Sequence, residues 1–308
     1  MRCVFGVDGG GTSTRLRIAD ISNALLWEGS GKGINPNSVP RRVREQRLLG
    51  LFREGLAAVG IGPGDIVAGC MGVAGADRPT ERVELEGYLR KNLGARCPLL
   101  VTTDADVALV GGLRSTEGMI LVAGTGSIAI ARLHDGTRVR AGGYGHFLSD
   151  EGSAFFIGFQ AIRRALRSQE GRDEPTGMLN ALASYFNITD TGQFVPLVYQ
   201  HFDKAAIAAA ATVVESFRAA GDPLAVSIFN EAARELRLLV SSVYRRVEDR
   251  INNRALLLQG GLLENDQWLR SAVTESLRAD HSELIFRDPV ESATFGACML
   301  AAQMAGRA

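Results

Sequence analysis

A short loop near the start of the chain has the residues needed to bind a phosphate. The apolar run Val4 to Val7 leads into Asp8, three glycines and a threonine, namely Gly9, Gly10, Gly11 and Thr12. Glycines let backbone N–H groups approach a ligand without interference from a Cβ, and such a concave set of amides suits phosphate oxygens. Asp8 can hold Mg²⁺ through water, because Mg²⁺ keeps much of its hydration shell. A plain hairpin turn explains the same glycines equally well.

A second glycine turn repeats this plan later in the chain. The apolar run Leu121 to Ala123 leads into Gly124, Thr125, Gly126 and Ser127. Two turns of the same type at matching positions favour two domains of related design, which fits a chain of 308 residues at about 150 residues per domain. The repetition also favours phosphate binding over a simple hairpin at both turns.

Two familiar nucleotide-binding motifs are excluded. A Walker loop requires Ser or Thr after its Gly-Lys pair, but Gly31 and Lys32 are followed by Gly33. A dinucleotide-binding fingerprint requires a third glycine at the sixth place of the motif, and Thr14 stands there at the start of a predicted strand.

Two carboxylates follow the strand-like run Leu99 to Thr103. Asp104 comes directly after this run, at the edge where α/β proteins bind ligands, and can accept a proton from an attacking hydroxyl there. Helix capping is the competing interpretation, because Asp is a good N-cap. Asp106 lies two residues further on, about 200° around a helix. We expect it to point away from Asp104 and its change to Asn to leave activity close to wild type.

A glycine-rich segment, Gly142 to Ser153, runs into a predicted helix that starts at Asp150. We interpret Asp150 as a partner of sugar hydroxyls and Tyr144 as a side chain that packs on a sugar ring. The helix dipole also favours acidic residues in a first turn, which would explain Asp150 without a ligand. We expect His146 to form structural hydrogen bonds, because nothing pairs it with a nucleophile.

Two further turns are candidates for ligand contacts. Gly260 and Gly261 follow a strand-like run and precede Asn265, and they can let adenine lie against the backbone, although a plain strand-to-helix turn explains them too. Asn35 and Asn37 lie in a turn whose composition needs no other explanation. An amide can nevertheless both donate to and accept from sugar hydroxyls.

The composition excludes several classes of protein. With 34 basic and 34 acidic side chains, the chain has no strong field that would draw it to nucleic acid or an anionic membrane. No two of its four cysteines have the C-x-x-C spacing of a local metal or cluster site. No apolar run is as long as a membrane helix, which needs about 20 residues. We expect Cys3 and Cys70 to be buried in strand-like runs, and reduced thiols fit a cytoplasmic protein.

The hydrophobic pattern predicts alternating strands and helices in α/β layers. Residues 1–113 should form three strands, a helix, a strand, a helix, a strand and a helix. After Gly112 the pattern restarts with strands near 119–123 and 128–131, a helix over 150–167, and an almost wholly helical stretch over 176–249 that includes an Ala-rich helix over 205–214. Strands at 255–258 and 284–286 and helices over 266–278 and 290–304 follow. The helical stretch can carry a dimer face, or its apolar stripes can be core.

Four segments together resemble the N-acetylglucosamine kinase family: Phe5 to Thr12, Val101 to Ala105, Gly124 to Ser127 and Gly142 to Ser153. That family groups with the activator ATPases of benzoyl-CoA reductase, inside the actin-like ATPase and hexokinase superfamily. The resemblance covers nearly the whole chain. The first loop marks the superfamily, whereas the segment G-G-Y-G-H-F-L-S-D-E-G-S is more discriminating and points to the amino-sugar kinases.

The resemblance implies an α/β fold of two ribonuclease-H-like domains, as in the actin-like ATPases, with a ligand cleft between them. The N-terminal domain would span 1–113 and be completed by 290–308, and the C-terminal domain, with a helical insertion, would span 114–289. The resemblance also implies ATP and Mg²⁺ as cofactors, and we expect a homodimer.

The resemblance assigns a role to each candidate residue. Asp104 would be the catalytic base, and Asp8 would hold Mg²⁺ through water. The implied phosphate contacts are Gly9, Gly10, Gly11, Thr12, Gly124, Thr125 and Gly126, and the implied adenosine contacts are Gly260, Gly261 and Asn265. The implied sugar contacts are Asn35, Gly75, Asp104, Thr125, Gly143, Tyr144 and Asp150. Asn35 matches the sugar-loop asparagine of the family better than Asn37.

The chain departs from the family pattern at several points. Tyr144 stands where many relatives carry Trp, which alters stacking on the sugar. The segment Ala74 to Asp77 lacks a hydroxyl that some relatives place before the glycine, which makes glucosamine the main rival of N-acetylglucosamine. The cysteines of a cluster-bearing activator ATPase and the zinc motif of another bacterial sugar kinase family are both missing.

We therefore predict an ATP-dependent kinase that phosphorylates an amino sugar, first N-acetylglucosamine to its 6-phosphate and next glucosamine. The alternative is an ATPase switch that drives a partner protein. Such a switch needs no sugar-lined pocket, and its ATPase rate should not respond to sugar. A sugar-sensing regulator is disfavoured by the phosphate-type turns, the neutral charge and the lack of a helix-turn-helix extension.

Overall fold

The computed structural model describes residues 1–36, 38–76, 79–93 and 97–306. Contacts divide the chain into two units: unit 1 comprises Met1–Gly118, Arg132–Thr137 and Arg287–Ala308, and unit 2 comprises Met119–Ala131 and Arg138–Phe286. The domain limits inferred from the sequence stay a prediction. Asn37 and Asp77, which the sequence analysis considered, lie outside the described residues.

Unit 1 is built on a five-stranded sheet. Its strands are β1 (Cys3–Gly9), β2 (Ser13–Asp20), β3 (Leu25–Lys32), β4 (Ile66–Val73) and β5 (Leu99–Thr102), in the order β3-β2-β1-β4-β5. Helices α1 (Arg41–Val59), α2 (Pro79–Leu93) and α3 (Asp104–Leu113) alternate with them, and a short 3₁₀ helix (Pro63–Asp65) precedes β4. The predicted order of strands and helices in this part of the chain is confirmed.

A second five-stranded sheet has the order β10-β9-β6-β7-β8. Its strands are β6 (Gly118–Ala123), β7 (Ser127–Arg132), β8 (Arg138–Gly142), β9 (Ala255–Gln259) and β10 (Ile285–Arg287). The helices that follow β8 are α4 (Ala154–Gln169), α5 (Met178–Tyr185), α6 (Phe194–Tyr199), α7 (Lys204–Ala209), α8 (Ala211–Ala219), α9 (Pro223–Arg245), α10 (Gly261–Asn265) and α11 (Gln267–Asp280). A 3₁₀ helix (Thr191–Gln193) precedes α6.

The two sheets share one strand plan. In each sheet the strand that comes first in the chain is central. β1 lies between β2, which follows it directly, and β4, which follows a helix; β6 likewise lies between β7 and β9. β1 pairs in parallel with β4, as β6 does with β9. The repeat that the two glycine turns indicate is therefore a repeat of the whole sheet, and the predicted α/β fold is confirmed.

Three elements differ from the sequence prediction. The hydrophobic pattern misses β8, because Arg138 and Arg140 interrupt the apolar periodicity of a half-buried edge strand. Helix α4 begins at Ala154 and not at Asp150, since Asp150 has a left-handed backbone with φ of 65°. The predicted Ala-rich helix is two helices, α7 and α8, that meet at Ala210.

The last helix, α12 (Ala293–Ala305), packs on β1, β4 and α3. Two glycines permit this close approach. A Cβ on Gly296 would lie 2.2 Å from the backbone oxygen of Val107, and one on Gly111 would lie 2.0 Å from that of Ser292. Helix α3, which begins at Asp104, is thereby held firmly against α12.

All four cysteines are buried and free, so the burial predicted for Cys3 and Cys70 is confirmed. In the part of the chain that the structure describes, no helix combines the length and the hydropathy that crossing a membrane would require.

Candidate active site

The first glycine turn is a hairpin between β1 and β2 with one open face. The Gly10 N–H donates to the Ser13 carbonyl (2.9 Å), and the Gly33 N–H donates to the Thr12 carbonyl (2.9 Å). A Cβ on Gly33 would lie 2.1 Å from the carbonyl oxygen of Gly11, so the segment after β3 packs directly on the turn. On Gly11, by contrast, a Cβ would meet no described atom within 4 Å. The hairpin and phosphate interpretations are thus compatible, because the open face can receive a ligand.

The other candidates of unit 1 gather around this turn. The residue before Asn35 donates its N–H to the Gly10 carbonyl (3.2 Å), and the residue before Gly75 donates its N–H to the Gly9 carbonyl (2.8 Å). Gly75 itself has a positive φ of 79°. Backbone hydrogen bonds therefore bring both proposed sugar-contact segments to the phosphate-type turn.

Asp8 and Asp104 form a pair of acidic groups at this edge of the sheet. Burial, and next the nearby Asp104 carboxylate, raise the pKa of Asp8 to about 6, and Arg15 partly opposes them. A cation that neutralises the two carboxylates would relieve this cost. Among the described residues, no group of three or more His, Cys, Asp or Glu side chains could hold a metal ion. The pair fits Mg²⁺, which keeps several waters and binds through one or two carboxylates.

Asp104 is not the N-cap of α3. Thr103 is the cap, and its hydroxyl accepts a hydrogen bond from the Asp106 N–H (3.3 Å). Asp104 follows as the first helical residue, and its Oδ1 accepts from the Ala105 N–H (2.9 Å). The competing interpretation of Asp104 as a helix cap is therefore wrong.

Asp106 is fully buried, and its carboxylate is engaged by the fold. Its Oδ2 accepts from the Thr102 hydroxyl (2.6 Å) and lies 3.2 Å from Nη1 of Arg132, whose side chain is only 11% exposed. Asp106→Asn would leave a buried guanidinium without its counter-charge, so we expect the change to cost stability. The expectation that it leaves activity close to wild type stays a prediction.

In unit 2, Asp150 braces the second glycine turn. The Gly124 N–H donates to the Gly126 carbonyl across the turn (2.9 Å). Asp150 Oδ1 accepts from the Ser127 N–H (3.2 Å), and a Cβ on Gly126 would lie 2.8 Å from the same oxygen. Its Oδ2 accepts from Lys204 Nζ (2.9 Å), and Asp150 is only 4% exposed. The explanation by a helix dipole is wrong, because an ion pair and a backbone amide hold this carboxylate.

Gly143 and Tyr144 stand beside the same turn. The Gly143 N–H donates to the Ser127 carbonyl (2.9 Å), and Gly143 has a φ of 75°. Tyr144 is 61% exposed, and the Arg140 guanidinium lies 4.3 Å from the centroid of its ring. One face of the tyrosine is therefore stacked on a cation, a contact that the sequence did not indicate.

His146 lies among aromatic rings, and the structural hydrogen bond expected of it is not found among the described residues. It stacks on Phe202 with ring centroids 4.8 Å apart and meets the edge of Phe155 at 5.1 Å. Its buried Nε2 has no hydrogen-bond partner in the described chain. Burial, and next the nearby Lys204 ammonium, lower the pKa of His146.

A cavity of about 370 Å³ in unit 2 brings the phosphate and adenosine candidates together. Gly124, Thr125, Gly261 and Asn265 all line it. Gly260, with φ of 98°, brings the start of α10 against β6, since a Cβ there would lie 2.4 Å from the carbonyl oxygen of Ala123. The volume lies within the range of about 300–1,000 Å³ that is usual for small-molecule sites.

Sequence reasoning missed most of the wall of this cavity. The remaining lining residues are mainly small and apolar: Ala154, Ala205, Ala208, Ala209, Ala211, Thr212, Glu215, Phe229, Leu262 and Asp266. Alanines carry no chemistry of their own, and their helical spacing equally predicts a face packed in the core. Lys204 and Arg132 were missed as well, because their acidic partners are distant in the sequence.

Two five-stranded sheets, each with a glycine turn after its central strand, give the fold of the two-domain actin-like ATPases and ROK hexokinases. A ROK hexokinase from Thermus thermophilus matches with a TM-score of 0.63 at 17% identity, covering 98% of both chains. A protein from Chromobacterium violaceum matches with a TM-score of 0.74 at 23% identity, covering 97% of this chain and 99% of the other.

Residues 5–301 match the BadF/BadG/BcrA/BcrD ATPase family, and the chain belongs to that family. The N-acetylmuramic acid/N-acetylglucosamine kinase of Clostridium acetobutylicum is 32% identical over 302 residues, covering 98% of both chains. The glucosamine kinase of Vibrio cholerae is 26% identical over 301 residues, covering 92% of this chain and 94% of the other. The resemblance inferred from the four motifs is confirmed.

Gly11→Ala should weaken ATP binding about tenfold or more and leave the melting temperature almost unchanged. The added methyl meets no described atom but stands on the open face of the turn, where it would obstruct a phosphate. Calorimetric titration with ATP and a thermal melt measure the two effects.

Gly33→Ala is the matched control, because its methyl would collide with the Gly11 carbonyl. It should lower the stability of the fold by about 1–3 kcal/mol. Unchanged ATP affinity in Gly11→Ala would show that the turn is a hairpin and no more.

Asp106→Asn should lower the free energy of unfolding by about 3–5 kcal/mol, because it removes one partner of a buried ion pair. Denaturant unfolding monitored by circular dichroism measures this loss. Glu54→Gln, which removes the same charge from an exposed helix position, should stay within about 0.5 kcal/mol of wild type. Equal stability of the two variants would contradict a structural role for Asp106.

Proposed function

We propose that this protein transfers a phosphoryl group from ATP to a hydroxyl of an amino sugar, N-acetylglucosamine first and glucosamine next. The observation that carries the proposal is the pair of interacting carboxylates Asp8 and Asp104, of which Asp8 directly precedes the first glycine turn. One carboxylate suits a hydrated cation and the other suits a proton acceptor. The names of the two relatives, both of them amino-sugar kinases, support the same chemistry.

Asp104 acts as the general base in this proposal. Its carboxylate takes the proton of the sugar 6-hydroxyl as that oxygen bonds to the γ-phosphorus, and the bond to the β–γ bridging oxygen breaks to release ADP. Phosphoryl transfer depends mainly on positioning and charge stabilisation. The Thr103 cap and the close contact of α3 with α12 supply that positioning, because they hold the first turn of α3 in place.

The remaining candidate residues bind and orient the two substrates. We assign the ATP phosphates to the backbone amides of Gly9, Gly10, Gly11, Thr12, Gly124, Thr125 and Gly126, and adenosine to Gly260, Gly261 and Asn265. We assign the sugar to Asn35, Gly75, Thr125, Gly143, Tyr144 and Asp150, in addition to Asp104. Asp8 would hold Mg²⁺ through water, and Mg²⁺ when bound neutralises part of the phosphate charge.

The assembly and setting of the protein are further parts of the proposal. We propose a homodimer, which light scattering on the purified protein can test. Four free and buried cysteines support a reducing, cytoplasmic setting. We also propose two domains. The N-terminal domain comprises residues 1–113 and 290–308, and the C-terminal domain comprises residues 114–289.

ADP release measured against a panel of sugars tests the function. The panel comprises N-acetylglucosamine, glucosamine, N-acetylmuramate, N-acetylmannosamine and glucose. We expect an amino sugar to raise ADP release strongly over the slow hydrolysis without sugar. If no member of the panel raises it, the kinase proposal is wrong, and an ATPase switch that acts on a partner protein takes its place.

Asp104→Asn should reduce kcat by about 10²–10⁴, the usual contribution of a general base, with the KM for ATP little changed. Steady-state kinetics with the best sugar measure both constants. Asp190→Asn is the matched control, because Asp190 caps an exposed 3₁₀ helix and Asn caps equally well. An Asp104→Asn variant that keeps more than about a tenth of wild-type kcat would place the base elsewhere.

The Mg²⁺ requirement should depend on pH through Asp8. Its pKa of about 6 lies above the ordinary value, so the neutral carboxyl favours folding at low pH and that contribution to stability is lost as pH rises through about 6. Cation binding needs the ionised form. The apparent Mg²⁺ affinity with ATP present should therefore rise about tenfold per pH unit below 6 and level off above it.

Asp8→Asn should remove this pH dependence and weaken turnover with MgATP, whereas Asp190→Asn should keep the wild-type profile. Magnesium titrations between pH 5 and 8 measure the effect. An unchanged profile in Asp8→Asn would assign the titration, and the cation, to another group.

A further inference from the structure

The cavity of unit 2 contains a carboxylate that the assignments above leave unused. Glu215 lies on α8 and lines the cavity together with Thr212, which is one helical turn earlier. The side chain is half-buried and has neither a hydrogen-bond nor an ion-pair partner among the described residues. A carboxylate only accepts hydrogen bonds, and partial burial without a partner costs stability. A ligand with hydrogen-bond donors would satisfy it.

The other acid of this cavity is already engaged. Asp266 caps α11, its Oδ1 accepts from the Leu269 N–H (2.9 Å), and its Oδ2 lies 3.6 Å from an Arg218 nitrogen. Arg218 is held in turn between the rings of Phe229 and Trp268, at 4.8 and 4.7 Å from their centroids. Asp266 Oδ2 has no hydrogen-bond partner in the described chain, but Asp266 is buried and its charge is neutralised by Arg218. Glu215 is the more exposed of the two lining carboxylates and has no cation beside it among the described residues, so it is the one that a ligand can reach.

The chemistry of ATP limits what can face Glu215. The triphosphate is anionic and would be repelled, so the donors to consider are the ribose hydroxyls and the amino group of adenine. The alanines of α7 and α8 that line the cavity, among them Ala208 and Ala211, offer an apolar surface that suits the flat base. Two neighbouring hydroxyls, by contrast, match the two oxygens of one carboxylate.

We propose that Glu215 accepts hydrogen bonds from the 2′- and 3′-hydroxyls of the ATP ribose and thereby selects ribonucleotides over deoxyribonucleotides. This inference rests on the proposed function, which assigns the cavity to the nucleotide. The half-buried carboxylate is then a binding group on the wall of the cavity.

Calorimetric titration of the whole protein with ADP and with 2′-deoxyADP tests the proposal. Wild type should bind ADP about tenfold or more tightly than 2′-deoxyADP, because hydrogen bonds to charged groups are strong. Glu215→Ala should bring this ratio close to one, and Glu215→Gln should give an intermediate ratio, since an amide oxygen still accepts. Glu275→Gln, on an exposed position of α11, should keep the wild-type ratio.

Folding is not expected to confound the result. Glu215→Ala removes a carboxylate without a partner and introduces the best helix former, so its melting temperature should equal or exceed that of wild type. A wild-type ratio near one, or a ratio that survives in Glu215→Ala, would overturn the proposal. So would a Glu215→Ala variant that changes the choice between ADP and GDP instead, because the carboxylate would then contact the base.

The binding ratio separates this inference from the proposed kinase activity. If the ratio depends on Glu215 while no sugar raises ADP release, the ribose assignment stands and the kinase proposal falls. If a sugar drives turnover but the ratio is one, the reverse holds. Failure to bind ADP at all would overturn both.

Discussion

The candidate site depends on one constraint. At each glycine turn, a second segment of the chain packs closely against one side of the turn. In unit 1, Gly33 packs so tightly on the first turn that a Cβ would lie 2.1 Å from the carbonyl oxygen of Gly11. In unit 2, the carboxylate of Asp150 occupies the corresponding space against Gly126, where a Cβ would lie 2.8 Å from its Oδ1. Because each turn is held from one side, its other backbone amides can be rigid and still accessible to a ligand.

Three acidic residues of unit 1 show how surroundings decide the role of a carboxylate. Asp106 is neutralised by Arg132 and bonded by Thr102, so it serves the fold. Asp8 and Asp104 lie close enough for Asp104 to raise the pKa of Asp8, an arrangement that costs stability and that a cation would relieve. Functional sites commonly hold such unfavourable pairs, because the cost is recovered only when substrate and cation bind.

The sequence predicts local patterns well and side-chain partners poorly. The strand and helix order of unit 1 follows from alternating and helical periodicities, and Gly9 to Thr12 and Gly124 to Ser127 mark both turns directly. The partners of Asp150 and Asp106 could not be predicted, because Lys204 and Arg132 are distant in the sequence and carry no motif. The residues that line the cavity could not be predicted for another reason, because alanines at helical spacing equally predict a face packed in the core.

The family resemblance and the structure give Asp150 two different roles. The resemblance makes it a sugar contact, whereas the structure uses its two oxygens to hold Ser127 and Lys204. An ionised carboxylate offers about four acceptor sites, so bracing the turn does not exhaust its capacity. A sugar hydroxyl bound there would be fixed by the same group that fixes the phosphate-type turn. If Asp150 also binds the sugar, sugar affinity and the stability of unit 2 would therefore be coupled through this one carboxylate.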